Sequence, residues 1–242
     1  DAVRRFQASL KLKLTLGIGY YFFTDRVNRA QPYYMPPVKA SNLCSEITLP
    51  ANDDLTYTCV LSSMNVARYD EWKDTDAVWW ATIFLDCVAE EFMTKAVGIK
   101  GLEKAVRYTS LYRSLGLGVT GYCTYLQSKM IPYESLEHQF FNEELFSNLK
   151  AEASRASRHM LLHLGENASG QMVRNSHLLA VAPTKSTALL MGGVSEGINP
   201  DPAMTYTQLT PAGEVDRVSP VLLKLMKERG VYTKQTIQEI VT

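Results

Sequence analysis

The chain has 242 residues, 46% hydrophobic and 21% charged, and its 25 basic and 25 acidic side chains cancel. That balance supplies no field to gather nucleic acid or anionic lipid, and no apolar run approaches the ~18 residues of a membrane span, so nucleic-acid and membrane roles are disfavoured. The opening "DAVRRFQASL" lacks a signal-peptide apolar core, so a cytoplasmic location is expected.

The first 35 residues include "LKLTLGIGYYFF", an alternating segment expected to be β-rich, and then a loop carrying Pro32, Pro36 and Pro37. Residues 40–50 read "ASNLCSEITLP". If this stretch is extended, residues at i, i+2 and i+4 share a face. Asn42, Cys44 and Glu46 then point one way, a thiol flanked by an amide and a carboxylate. That is either a chemical constellation or a coincidence of spacing.

"NDD" at 52–54 marks a turn, and "LTYTCVLSSMNV" alternates again, which places Cys59 on a strand. From Asp74 to about Val97 the period becomes helical. Trp80, Phe84, Cys87, Val88 and Glu91 recur at three- and four-residue spacing, with Cys87 on the apolar stripe, Asp74 and Thr75 cap its start, and Gly98 caps its end. Further helices are expected at Tyr122–Lys129 and Glu134–Leu164, the second stopped by Gly165. "SHLLAVAPT" supplies a buried strand over Ser176–Ala182, and the tail, "VSPVLLKLMKERG" to "TIQEIVT", two short helices. No repeat or low-complexity linker divides the chain, so residues 1–242 are read as a single domain.

The four cysteines, Cys44, Cys59, Cys87 and Cys123, are too few for a disulfide scaffold and form no CxxC pair for zinc. Cys87 and Cys123 lie in helical segments and are expected to pack. His159 and His163 stand at i, i+4, but without a third ligand no metal site is expected; His138 and His177 carry no motif. Asn167 begins an "NAS" sequon that is read as chance. "GLGVTG" at 116–121 matches GxGxxG, yet no convincing strand precedes it and no acidic residue follows a second strand, so it is read as a glycine-rich turn allowing close packing. "AVAPTKSTALLMGG" runs from a strand through Thr184, Lys185, Ser186 and Thr187 into a short helix. This is either an anion site built from hydroxyls and free N–H groups or an ordinary N-cap.

Four segments in order, "SNLCSEI", "CVLSSMNV", "YRSLGLGVTGYCTYL" and "NSHLLAVAPTKSTALLMGGVSEGINP", resemble the catalytic large subunit of class I ribonucleotide reductase, especially in its T-even-type bacteriophage form. The resemblance implies an α/β fold: part of a ten-stranded α/β barrel with a catalytic finger loop. The N-terminal regulatory region, the first half of the barrel and the C-terminal tail would then lie outside these residues. Cys44 matches the cysteine that becomes a thiyl radical and takes the 3′ hydrogen of the ribose. Glu46 matches the carboxylate that takes the 3′ hydroxyl proton, and Asn42 the amide that orients the substrate. Cys59 matches one half of the redox-active dithiol, whose partner lies outside the chain. Thr184, Lys185, Ser186 and Thr187 match the turn holding the substrate's diphosphate, with Lys185 departing from an acidic residue of some relatives.

The resemblance also implies partners: a complementary large-subunit segment, a radical-generating small subunit with a di-iron tyrosyl radical, thioredoxin or glutaredoxin as dithiol reductant, and a ribonucleoside diphosphate substrate. No cofactor is expected on this segment itself, which alone is expected to be inactive and to need a complementary chain for its open sheet edges. Two rivals are a catalytically silent interaction module that kept the fold, and a nicotinamide-dependent oxidoreductase built on "GLGVTG".

Overall fold

The computed structural model describes residues 1–17, 19–210 and 213–241. Ile18 of the first apolar segment and Thr242 of the tail lie outside the described residues.

The chain opens with helix α1 (Ala2–Leu16), whose last turns take up the start of the segment expected to be β-rich. Alanine, arginine, leucine and lysine are strong helix formers, and Gly17, left-handed at φ 65°, ends the helix by donating its N–H to Lys13 O. No residue of α1 is buried, so its Leu–Lys alternation serves no sheet face. Helix α2 (Thr24–Ala30) follows. A long irregular segment then runs to β1 (Leu61–Asn65), which leads through a short 3-10 turn into α3 (Tyr69–Trp72). Asn28 holds that segment near its start, accepting from Val38 N at 2.7 Å and donating to Val38 O at 2.9 Å.

Helix α4 (Ala77–Ala96) lies within the span read from the sequence, but its inner face differs. Val78, Thr82, Leu85, Asp86 and Ala89 are buried, whereas Trp80, Phe84, Cys87 and Val88 are exposed. Apolar residues occur all round this helix, so periodicity alone does not choose the side. Its N-cap is Asp76, and Thr75 Oγ1 accepts from Ala77 N. Helix α5 (Glu103–Tyr112) ends at Arg113, a left-handed non-glycine residue at φ 41°.

Strand β2 (Gly116–Thr120) is fully buried and is "GLGVT" itself, which corrects its reading as a turn. It pairs in parallel with β1, Leu61 opposite Gly116 through Asn65 opposite Thr120. On its other side Leu115 N and Leu117 N donate to the carbonyls of His177 and Leu178, and Ala180 N donates to Leu117 O. The expected strand over Ser176–Ala182 is therefore a half-buried extended segment with one parallel bridge, Leu117 to Leu179. The close packing expected of the glycines holds: a Cβ on Gly118 would overlap the Ala180 carbonyl oxygen, and one on Gly116 the Leu61 side chain.

Helix α6 (Tyr122–Ser128) is followed by α7 (Leu136–Leu164), whose N-cap Ser135 accepts from His138 N and whose end is Gly165. The main core lies where α4, α6 and α7 cover the parallel strands, with Val66, Ala89, Val119 and Leu145 fully enclosed. Parallel strands joined through helices are the α/β arrangement that the resemblance implies. Helix α8 (Lys185–Leu190) precedes an unanticipated antiparallel hairpin, β3 (Thr205–Thr210) and β4 (Gly213–Val218), and the tail supplies α9 (Pro220–Glu228) and α10 (Lys234–Val241). Among the described residues no helix is long and apolar enough to cross a membrane.

Candidate active site

Residues 41–47 form a tight turn, which corrects the extended reading. Asn42 N donates to Ile47 O at 3.2 Å, Ser45 N to Asn42 O at 3.1 Å, and Ser45 takes the left-handed region at φ 67°. The Asn42 side chain bridges the turn: its Oδ1 accepts from Ile47 N at 3.0 Å, and its Nδ2 donates to Glu46 Oε2 at 2.7 Å. Cys44 stands exposed between them. A pleat would align the three residues by alternation; here a turn closed by Asn42 brings the amide and carboxylate together. Below it, Ile47 and Leu49 pack with Met35, Leu55, Tyr108 and Tyr112 in a second apolar cluster, which anchors the base of the loop.

Cys59 lies two residues before β1 and is exposed. Partial burial pushes its thiol pKa up, and electrostatic coupling to Glu46 and Cys44 pushes it the same way. All three residues therefore share one electrostatic neighbourhood in which Cys59 rests as a thiol. Glu46 also lines a small cavity with Thr58, Ser114, Gly116, His177 and Ala180, at the start of the parallel strands. All four cysteines are free; Cys123 is buried on α6, where Gln127 Nε2 donates to its Sγ at 3.4 Å, and Cys87 is exposed on α4.

Thr184 is the left-handed N-cap of α8, at φ 55°, and its side chain caps nothing in that helix. Its Oγ1 lies 2.9 Å from Thr120 Oγ1 and accepts from Gly197 N at 2.9 Å. Thr120 Oγ1 and Gly121 N in turn donate to Ser195 O. The Thr184 hydroxyl thus fixes the turn to the end of β2, while Lys185, Ser186 and Thr187 remain exposed at the first turn of α8. This turn lies at the opposite end of β2 from the cavity lined by Glu46, a separation of about 13 Å at a strand's rise per residue.

Sequence reasoning missed a buried ionic cluster beside α4. Asp86 accepts from Arg113 Nε and Nη2 at 2.9 and 2.8 Å, from Arg174 Nε and Nη2 at 3.1 and 2.8 Å, and from Asn175 Nδ2 at 2.8 Å. Burial alone would raise the Asp86 pKa; the two guanidiniums and Asn175 overcome it and hold the carboxyl below its ordinary value. The only sequence signal was one aspartate within an apolar helix. The histidines of α7, His159 and His163, have ring centroids 4.3 Å apart, yet among the described residues no group of three or more His, Cys, Asp or Glu is arranged to hold a metal ion. Asn167, of the sequon, is buried.

The ribonucleotide reductase barrel domain family matches residues 2–169 and 161–242. The chain belongs to that family. A Frog virus 3 (isolate Goorha) protein named for the large subunit of ribonucleoside-diphosphate reductase is 36% identical over 240 residues, covering 96% of this chain and 42% of its own length. A large subunit of Invertebrate iridescent virus 3 is 31% identical, covering 88% of this chain and 35% of its own length. The solved Actinobacillus ureae class Id ribonucleotide reductase alpha subunit superposes with a TM-score of 0.85 at 35% identity, covering all of this chain and 46% of that one. The chain therefore spans less than half the length of these relatives, and its fold is part of the ribonucleotide reductase barrel.

Proposed function

We propose that this chain is a catalytic segment of a ribonucleoside-diphosphate reductase large subunit, supplying the radical cysteine and one redox thiol for deoxyribonucleotide synthesis. The observation that carries this reading is the turn in which Asn42 Nδ2 donates to Glu46 Oε2 at 2.7 Å with Cys44 between them. In the proposed reaction a Cys44 thiyl takes the 3′ hydrogen atom of the ribose, and Glu46 receives the 3′ hydroxyl proton. Asn42 holds the Glu46 carboxylate in place and offers its amide to the substrate. Cys59, kept as a thiol by burial and its acidic neighbours, gives a hydrogen and an electron as the 2′ hydroxyl departs as water.

The exposed residues Lys185, Ser186 and Thr187, with Thr184 fixing the backbone, are assigned to the diphosphate. The reading requires a complementary large-subunit segment carrying the second redox cysteine, a radical-generating partner and a dithiol reductant. Relatives of the family are also named vitamin B12-dependent reductases, so the radical source is assigned by its chemistry and not by its metal. The test is reconstitution with the complementary segment and the radical-bearing subunit, assayed for cytidine diphosphate reduction. Turnover that Cys44→Ser abolishes supports the assignment; a stably assembled complex without turnover overturns it in favour of a silent module.

A further inference from the structure

The hairpin β3–β4 plays no part in the proposed chemistry, yet it carries a buried arginine, Arg217, 7% exposed. Arg113 and Arg174 share the carboxylate of Asp86, whereas Arg217 is held by neutral oxygens. Its Nη1 donates to Gln208 Oε1 at 2.9 Å, and its Nη2 to Gly193 O at 2.8 Å and Val194 O at 3.2 Å. Anchoring a hairpin needs only an apolar side chain here, and a buried guanidinium is costly. What the guanidinium adds is a rigid fork that fixes several acceptors at once. The two carbonyls it grips begin the loop 193–197, which returns from the end of α8 to its start. Gln208 extends the grip, its Nε2 donating to Glu196 Oε1 at 2.9 Å. On the other side Ser195 N donates to Thr124 Oγ1 at 2.9 Å, and at the end of the loop Gly197 N donates to Thr184 Oγ1 at 2.9 Å. The loop presses closely on the segment before Thr184, since a Cβ on Gly197 would lie 2.9 Å from Ala182 O.

We infer that Arg217 is a positioning residue for the substrate's diphosphate: its fork holds the loop whose Gly197 N–H pins Thr184, and so sets the aim of Lys185, Ser186 and Thr187. This rests on the reading of that turn as the diphosphate site. Thr184 is a β-branched residue at φ 55°, a conformation such a residue keeps only where its surroundings impose it. Its hydroxyl is the point at which they do, taken up by Thr120 on β2 and by Gly197 on the loop. Without the fork, the Gly193 and Val194 carbonyls lose their donor and the loop slackens. Gly197 then draws away, and Thr184 is free to leave the left-handed region, which turns the groups that follow it off a common target. Arg217 thus acts on affinity for the diphosphate through the loop and without touching it.

The test measures binding of cytidine diphosphate and of cytidine, by equilibrium dialysis, to the chain assembled with its complementary large-subunit segment. Cytidine lacks the diphosphate, so the difference between the two ligands reports the turn alone, with no need for turnover. Arg217→Met is expected to weaken cytidine diphosphate about tenfold, the weight of one charge-assisted hydrogen bond, and to leave cytidine unchanged. Arg217→Lys returns a cationic donor to the two carbonyls and is expected to recover most of the loss. Amide exchange at Gly197 is expected to quicken in Arg217→Met and slow again in Arg217→Lys. Should Arg217→Met fail to fold, Gln208→Leu keeps the arginine, cuts its tie to Glu196, and is expected to show a smaller loss confined to the diphosphate. Equal losses for the two ligands, or a preference for the diphosphate that survives these substitutions, overturn the inference alone. A parent assembly with no preference for cytidine diphosphate over cytidine overturns the assignment of the turn, and the role of Arg217 with it.

Discussion

Asn42 Nδ2 donates to Glu46 Oε2 at 2.7 Å while Asn42 Oδ1 accepts from Ile47 N, so one amide closes the backbone turn and orients the carboxylate. The two functions separate by mutation. Glu46→Gln keeps the bridge's shape and removes the proposed base, and is expected to lower turnover of the reconstituted assembly by about 10²–10⁴-fold, the range of a positioned acid–base group. Asn42→Ala removes both bonds, and is expected to lower turnover and also loosen the loop, read as faster amide exchange at Ile47. A Glu46→Gln enzyme with full turnover would remove Glu46 from the chemistry.

Strand β2 and the 177–180 segment approach so closely that only glycine fits at position 118, where a Cβ would meet the Ala180 carbonyl. Gly118→Ala is expected to destabilise the chain by about 1–3 kcal/mol, as overpacking does, seen as a lowered denaturant midpoint. Gly165→Ala, where a Cβ meets nothing within 4 Å, isolates the backbone cost of its φ of 82° and is expected to cost less. Equal losses at the two sites would show that close approach is not what selects glycine in β2.

These positions show what sequence carries and what it does not. The long helix α7 and its Gly165 stop were legible because Ser135 and Gly165 are local signals. Cys44 and Glu46 were singled out from spacing alone, but their geometry was not legible. A period-2 reading cannot see a turn held by Asn42 donating to Glu46 and accepting from Ile47. Strand β2 was misread because its glycines answer to Ala180, some sixty residues away. Asp86 was passed over for the same reason, since Arg113 and Arg174 meet it only after folding. The hairpin β3–β4 was missed, although "TYTQLT" alternates threonine with larger residues, a strand signal.

Breaking the Asp86 cluster leaves two buried guanidiniums short of a counter-charge. Asp86→Ala is expected to cost about 3–5 kcal/mol, the penalty for removing one partner of a buried ion pair, measured by urea unfolding. Because the folded pKa of Asp86 is depressed, its contribution is complete above the ordinary 3.8 and is lost as pH falls through the lower folded value. The parent protein should therefore lose stability in that acid range, and Asp86→Asn should flatten that part of the profile. A profile with the same acid slope in both proteins would assign the acid sensitivity to other carboxylates.

His177 gives a second pH window of the same sign for a different reason. Burial lowers its folded pKa below the ordinary 6.5, so the unfolded chain binds the proton more readily. Stability from this group is complete above pH 6.5 and declines as pH falls from 6.5 to the folded pKa, below which the loss stops growing. His177→Phe keeps an aromatic ring at the cavity wall and cannot titrate, so its denaturant midpoint should stay level across the interval in which the parent's falls. Parallel declines in parent and variant would show that His177 is protonated as easily in the fold as out of it.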